Sequence, residues 1–328
     1  MEAFEYASPK SIQDAVRLLG STWGGTEVMA GGTDLVSAMK DGVVTPKRVV
    51  SLKNVKELQF ARGGAREGLR LGALLTIREL LDLPQAKQEY PGLVQAADGI
   101  RGEQMRHMGT VSGELLQRPR DWYFRNGFGL LAEYDGKSLI PDGQNYYSAI
   151  LGNSGPAYFV SPSSLAPILI ALDAKVTLHG PNGRREVELS KFYRTPQSEG
   201  EREYVINPDE ILTEITVPAA RGMKTATYEI REKEGLDWPL AAAAVALEMD
   251  GNTVKRSRVV LGHVAPVPWP SPEAEEALNG KNLTEETADA AGKAAVSKAT
   301  PLSQNGYKVQ LARVAVKRAL MRAVKGEA

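Results

Sequence analysis

In the stretch VMAGGTDLVSAMK, residues 28–40, an apolar strand pattern stops at two consecutive glycines, and a helix pattern begins directly after Thr-Asp. Glycine weakens strands and helices alike. Two together at this junction imply that bare backbone is being used. Successive free N–H groups at a strand-to-helix turn can hold phosphate oxygens, and the start of the helix adds partial positive charge. The competing reading of Ala30–Leu35 is a tight turn that binds nothing, and these residues alone leave the two level. Asp34 complicates the phosphate reading, because a carboxylate beside a diphosphate repels it, unless it points away and caps the helix.

A second glycine stretch, Gly109-Thr110-Val111-Ser112-Gly113, has Arg106 just upstream. Alone it reads as a surface turn. Two such loops on one chain make a dinucleotide more plausible, since a pyrophosphate can be gripped from both sides. Three other matches fail on context. Gly127-Phe128-Gly129-Leu130-Leu131-Ala132 fits a dinucleotide glycine pattern but lacks the strand before it and the helix after it. Gly136-Lys137-Ser138 resembles the end of a phosphate loop, yet Leu131 stands where its first glycine must be. Ser37-Ala38-Met39-Lys40 fits a serine–lysine pair but lies on a helix with no supporting motif.

The 328 residues suggest two or three domains. Lys+Arg and Asp+Glu are 40 each, so net charge gives no pull toward nucleic acid or anionic membrane. There is no cysteine, which excludes disulfides, thiolate metal sites and cysteine nucleophiles. The three histidines share no ligand spacing. The opening MEAFEYASPK lacks the pattern of a signal peptide, no apolar run is long enough to span a bilayer, and a cytoplasmic location is expected.

Element signals are clear in places. Ser8-Pro9 predicts a helix start ahead of SIQDAVRLL. Glu27–Ala30 and Arg48–Leu52 predict strands flanking the helix DLVSAMK, a small parallel βαβ unit capped at Thr33 or Asp34. Leu69–Leu75 predicts a strand, followed by a helix capped by Thr76. Residues 117–156 show little periodicity and read as an insertion or a functional segment. Asn182-Gly183 between alternating runs predicts a hairpin. Beyond residue 222 three strands and then three helices predict an α+β domain. Asp237-Trp238-Pro239 reads as a strand entry with the tryptophan in the core, and Tyr123, Phe124 and Arg125 as local core of an irregular segment.

Taken together these motifs resemble the FAD-binding (medium) subunit of molybdenum hydroxylases, the family of xanthine, aldehyde and carbon monoxide dehydrogenases and hydroxybenzoyl-CoA reductase. AGGTDLVSAMK is similar to its first flavin loop. GTVSGELLQRPRDWYFR is similar to its second, usually Gly-Thr-Val-Gly-Gly-Asn. SPSSLAPILIALDA resembles a segment commonly written Pro-Ser-Asp-Leu-Ala-Pro, and DWPLAAAAVAL the start of the C-terminal domain.

The resemblance implies an α+β fold. A two-part, p-cresol methylhydroxylase-like FAD-binding domain at 1–222 has a small parallel βαβ part (about 1–55) and a mixed or antiparallel sheet part (56–222, with the insertion at 117–156). A C-terminal α+β domain with a three-stranded antiparallel sheet follows at 223–328. It implies cofactor contacts from Val28, Met29, Ala30, Gly31, Gly32, Thr33, Asp34 and Leu35 in the first loop. Arg106, Gly109, Thr110, Ser112, Gly113 and Glu114 are expected around the second, with Ser164 and Leu165 nearby. No residue is expected to be catalytic or to hold a metal.

The implied role is electron transfer. A small two-iron–two-sulfur subunit would deliver electrons from a large molybdenum-cofactor subunit, and FAD would pass them to an acceptor such as NAD, oxygen or quinone. Two other readings remain: a structural subunit that has lost FAD, and a flavin-dependent reductase acting alone. Three departures bear on this. Ser112 and Glu114 stand where the family has glycine and asparagine, and Ser164 where it has aspartate. Some relatives hold a four-iron cluster by cysteines in the insertion, whereas Asp121 and Ala157 occupy two of the places where those would be sought.

Overall fold

The computed structural model describes residues 1–64, 66–220, 222–233 and 237–325. Within the expected C-terminal stretch 223–328, residues 234–236 and 326–328 lie outside the described residues.

The chain opens with a three-stranded parallel sheet: β1 (Glu5–Ala7), β2 (Thr26–Met29) and β3 (Arg48–Ser51), in the order β1-β3-β2. Helices α1 (Ile12–Arg17) and α2 (Leu35–Lys40) make the crossovers that parallel pairing demands. The cap of α1 differs from expectation. Ser11, not Ser8, accepts from the Asp14 amide, and its hydroxyl donates to the Asp14 carboxylate at 2.7 Å, which fixes the start there.

A five-stranded antiparallel sheet follows, built from β4 (Ala61–Gly64), β5 (Gly68–Gly72), β8 (Lys175–Gly180), β9 (Gly183–Glu188) and β10 (Ile211–Val217) in the order β4-β5-β10-β8-β9. β8 and β9 form the expected hairpin, with Gly180 paired to Gly183 and Gly183 at a φ of 98°. Between β5 and β8 the chain forms α3 (Ile77–Asp82), α4 (Pro84–Glu89), α5 (Pro91–Gly99), α6 (Glu103–Met108) and α7 (Val111–Leu115). Thr76 and Glu79 close a reciprocal cap on α3. The insertion contributes only α8 (Trp122–Arg125) and the two-residue strands β6 (Glu133–Tyr134) and β7 (Lys137–Ser138). α9 (Leu165–Ala171) comes next, and every one of its residues is buried. One core spans the parallel sheet, the five-stranded sheet and these helices.

The last part is an antiparallel sheet of β11 (Lys224–Ile230), β12 (Ala241–Asp250), β13 (Thr253–Gly262) and β14 (Trp269–Pro270). It therefore has four strands rather than three. β14 is two residues long and includes a proline, so it carries no alternation to read. α10 (Pro272–Leu278), α11 (Glu285–Ala295) and α12 (Tyr307–Lys325) cover it, and alanines line the interface. α5 joins the two parts, through Gly92 to Thr225 and through Gln95 and Gly92 to Thr227. Among the described residues no helix is long and apolar enough to cross a membrane.

The insertion has its own packing. Phe124, Leu130, Leu131, Ala157 and Phe159 form one small core, and Tyr123, Ala132 and Ile140 another. Tyr123 and Phe124 are buried, as their reading as local core predicts. The Glu199 carboxylate accepts from the Leu130 and Leu131 amides, at 2.7 Å each.

Candidate cofactor site

β2 ends at Met29, and the glycines carry the chain into α2. Gly32 has a φ of 78°, which only glycine adopts cheaply. Among the described residues the amides of Gly31, Gly32, Thr33 and Asp34 donate no hydrogen bond within the chain. They are the free donors that an anion site needs.

Gly31 meets the second loop. A Cβ on Gly31 would lie 1.7 Å from the Met108 carbonyl oxygen. The two glycine stretches, some eighty residues apart in sequence, are thus in direct backbone contact. Thr110 caps α7 by accepting from the Gly113 amide. The remaining amides of this loop are mostly engaged: Gly109 with Met105, Val111 with Leu75, Ser112 with Ala73 and Glu114 with Thr110. The amide of Thr110 is not. The two loops therefore differ, the first offering donors and the second mainly shape.

A cavity of about 160 Å³ lies against them. Val28 to Leu35, Thr110, Ser112 and Gly113 line it, as do Arg118, Tyr204 and Ile206. Arg106, Gly109, Glu114, Ser164 and Leu165 are not in its wall. Arg106 is engaged with the Ile100 carbonyl at 2.7 Å and with Asp98.

The three departures from the family pattern are linked to one another or to the backbone. The Ser112 hydroxyl donates to the Ala73 carbonyl at 2.7 Å. Glu114, buried, accepts from the Ser163 hydroxyl and the Ser164 amide at 2.6 Å each and from the Leu165 amide at 3.3 Å. Burial pushes its carboxyl up to about 7 against these hydrogen bonds, and Glu229 raises it further. The Ser164 hydroxyl donates to Glu229, which pairs with Arg231. Arg231 in turn donates to the Asp237 carbonyl. A polar chain, buried at its Glu114 end and exposed at Asp237, thus runs from the second glycine loop to the turn carrying Trp238.

That turn borders a second cavity, of about 880 Å³, lined among others by Arg120, Arg125, Tyr146, Tyr147, Trp238, His263 and Lys308. Trp238 is 41% exposed and lies under the Arg120 guanidinium at 4.5 Å, so it is a cavity wall and not the core residue its sequence suggests. Sequence reasoning missed Arg118 and Arg120, whose only signal is the tail QRPR after the second loop, and Tyr204 and Ile206, which carry no local signal.

Asp34 makes no side-chain cap on α2. Its carboxylate accepts from the Arg118 amide at 2.8 Å and from Arg125 at 2.7 Å, with Arg120 at 3.2 Å. Two guanidiniums therefore neutralise it, which removes the repulsion it would exert on a diphosphate. Free amides in the first loop, close backbone approach and a neutralised acid fit a dinucleotide diphosphate. Among the described residues no group of three or more acidic or histidine side chains could hold a metal.

Comparison with known proteins points to FAD as the dinucleotide. Residues 2–220 match the family described as the FAD binding domain in molybdopterin dehydrogenase, and residues 226–323 match the carbon monoxide dehydrogenase flavoprotein C-terminal domain. The carbon monoxide dehydrogenase medium chain of Hydrogenophaga pseudoflava is 31% identical over 97% of this chain and 96% of its own. The aldehyde oxidoreductase FAD-binding subunit PaoB of Escherichia coli is 27% identical over 95% and 96%. A solved structure of the Hydrogenophaga pseudoflava enzyme, lacking the Mo-pyranopterin moiety of its cofactor, superposes with a TM-score of 0.78 and 29% identity, covering 100% of this chain and 99% of that one.

Proposed function

The chain belongs to the molybdopterin dehydrogenase FAD-binding family, and from that premise we propose that it is the electron-transfer subunit of a molybdenum-containing hydroxylase or dehydrogenase. FAD is the cofactor of the family. When bound, it supplies two-electron and one-electron redox chemistry that no side chain here can perform. The chain's own part is to bind and orient.

The observation that carries the reading is the row of unengaged amides at Gly31, Gly32, Thr33 and Asp34, set against the second loop. These amides would hold the diphosphate, with Thr110 opposite. Val28, Met29, Ala30 and Leu35 would wall the dinucleotide, and Ser112 and Gly113 would bound it from the second loop. Gly109, Glu114, Ser164, Leu165 and Arg106 would shape the surroundings without lining the smaller cavity. The larger cavity, with Trp238 as a flat wall, has room for a planar ring system.

Two domains, 1–222 and 223–328, are part of the same proposal, as are partners: a small iron–sulfur subunit and a large molybdenum subunit, with NAD, oxygen or quinone as acceptor. Cytoplasmic residence belongs to it as well. The readings without FAD or without partners gain nothing from Glu114, whose carboxylate oxygens are taken up by Ser163, Ser164 and Leu165. The test is direct. The purified protein should carry flavin absorbance, or take up FAD in calorimetry, and should reduce no substrate until both partner subunits are added. A colourless protein that ignores FAD would defeat the proposal.

A further inference from the structure

We propose that Asp34 is a positioning residue through which the cysteine-free insertion holds the first glycine loop in its anion-binding shape. The observations are geometric. Asp34 is the last of the four residues whose amides are free, and its carboxylate is the junction of three arginines from one short run of the insertion.

Each arginine is itself held. Arg118 pairs with Glu203 at 2.9 Å. Arg125 donates to the Pro119 carbonyl at 2.8 Å and to that of Arg118 at 3.1 Å, closing a ring around the 118–125 turn. Asp121 caps α8 by accepting from the Tyr123 and Phe124 amides, which fixes the helix that presents Arg125. Arg120 reaches from Asp34 to the face of Trp238 in the C-terminal part.

Asp34 and Arg125 are both mostly buried, with side chains 16% and 14% exposed. A charge-assisted pair at this burial restrains its partners strongly, because breaking it strands a charge. The Gly32 and Asp34 carbonyls accept from the Val36 and Ala38 amides of α2, but the amides of residues 31–34 donate to nothing within the chain, and the loop has no other side-chain tether among the described residues. The brace therefore replaces the cap that Asp34 does not make on α2.

The flavin arm of the test rests on the proposed function; a second arm does not. In the apoprotein, hydrogen exchange of residues 28–36, read at bonded amides such as that of Val36, which donates to the Gly32 carbonyl, should quicken in Asp34→Asn and in Arg125→Gln, while Asp289→Asn, which breaks an ion pair in the C-terminal helices, leaves it unchanged. FAD titration followed by flavin fluorescence should show affinity falling about tenfold or more in either brace variant. The double variant should be little worse than one alone, since both break the same link. Arg125→Lys, which keeps the charge, serves if Arg125→Gln does not fold. Unchanged exchange at 28–36 overturns the brace. So does wild-type FAD affinity in Asp34→Asn accompanied only by a lower melting temperature. Failure of the wild-type chain to take FAD overturns the proposed function and leaves the exchange arm to decide on the brace.

Discussion

Gly31 sits directly under the carbonyl of Met108, with no room between them for even one methyl group. This contact brings the two glycine loops together. Gly31→Ala would force backbone against backbone, at a cost of about 1–3 kcal/mol by the usual penalty for overpacking. We expect a lower melting temperature and FAD affinity weakened at least about tenfold. Gly25→Ala, where a Cβ meets nothing within 4 Å, is the control and should change neither. Wild-type FAD binding by the Gly31 variant would show that the loops need not touch.

The buried Glu114 makes stability depend on pH. Its carboxyl lies at about 7 in the folded chain against 4.5 for an ordinary glutamate. The folded state therefore holds a proton that the unfolded state has lost. Its contribution is full below about pH 4.5 and declines as pH rises through 7, by an order of magnitude of about 3 kcal/mol. Glu229, with its Arg231 partner, and Tyr193 are the ionisable groups that face it. Glu114→Gln should flatten the fall in melting temperature between pH 5 and pH 8. An unchanged slope would mean that Glu114 stays ionised throughout.

Local chemistry made part of this molecule readable. The Thr76–Glu79 cap, the Asn182-Gly183 hairpin and the two glycine loops rest on neighbours in sequence. What escaped depends on distant partners. Glu114 finds its donors some fifty residues away, and Asp34 meets arginines more than eighty residues on. No pattern in either neighbourhood announces these partners. Trp238 looked like a core residue because residue type alone cannot tell a core from a cavity wall. β14 was invisible because two residues with a proline have no period.

The insertion should need no iron. Where cysteine ligands would be sought, Asp121 caps a helix and Ala157 is packed with Phe124, Leu131 and Phe159. With no cysteine in the chain, a four-iron cluster has no thiolate to hold it. A strong chelator should leave the melting temperature within about a degree of the untreated value, since no metal-binding free energy supports the fold. A large chelator-induced drop would reveal a metal that this packing does not accommodate.

Lys308 fastens the insertion to the C-terminal helices. It is fully buried on α12 and donates to the carbonyls of Tyr147, Ser148 and His263 at 3.0, 3.2 and 2.9 Å. No carboxylate pairs with it among its described partners, so burial alone pulls its ammonium down to about 7 from 10.5. Between those values the unfolded chain binds the proton and the folded chain does not, so stability rises with pH across this window and is lost as pH falls through 7. Lys308→Met removes the titrating group and its N–H donors together. The rise in stability between pH 7 and pH 10 should flatten. Limited proteolysis at neutral pH should cut faster around residues 143–150, because their carbonyls lose the anchor that joins them to α12. If cleavage there is no faster than in the wild-type chain, the insertion is held by Asn145, Asn153 and Asn305 without help from the lysine.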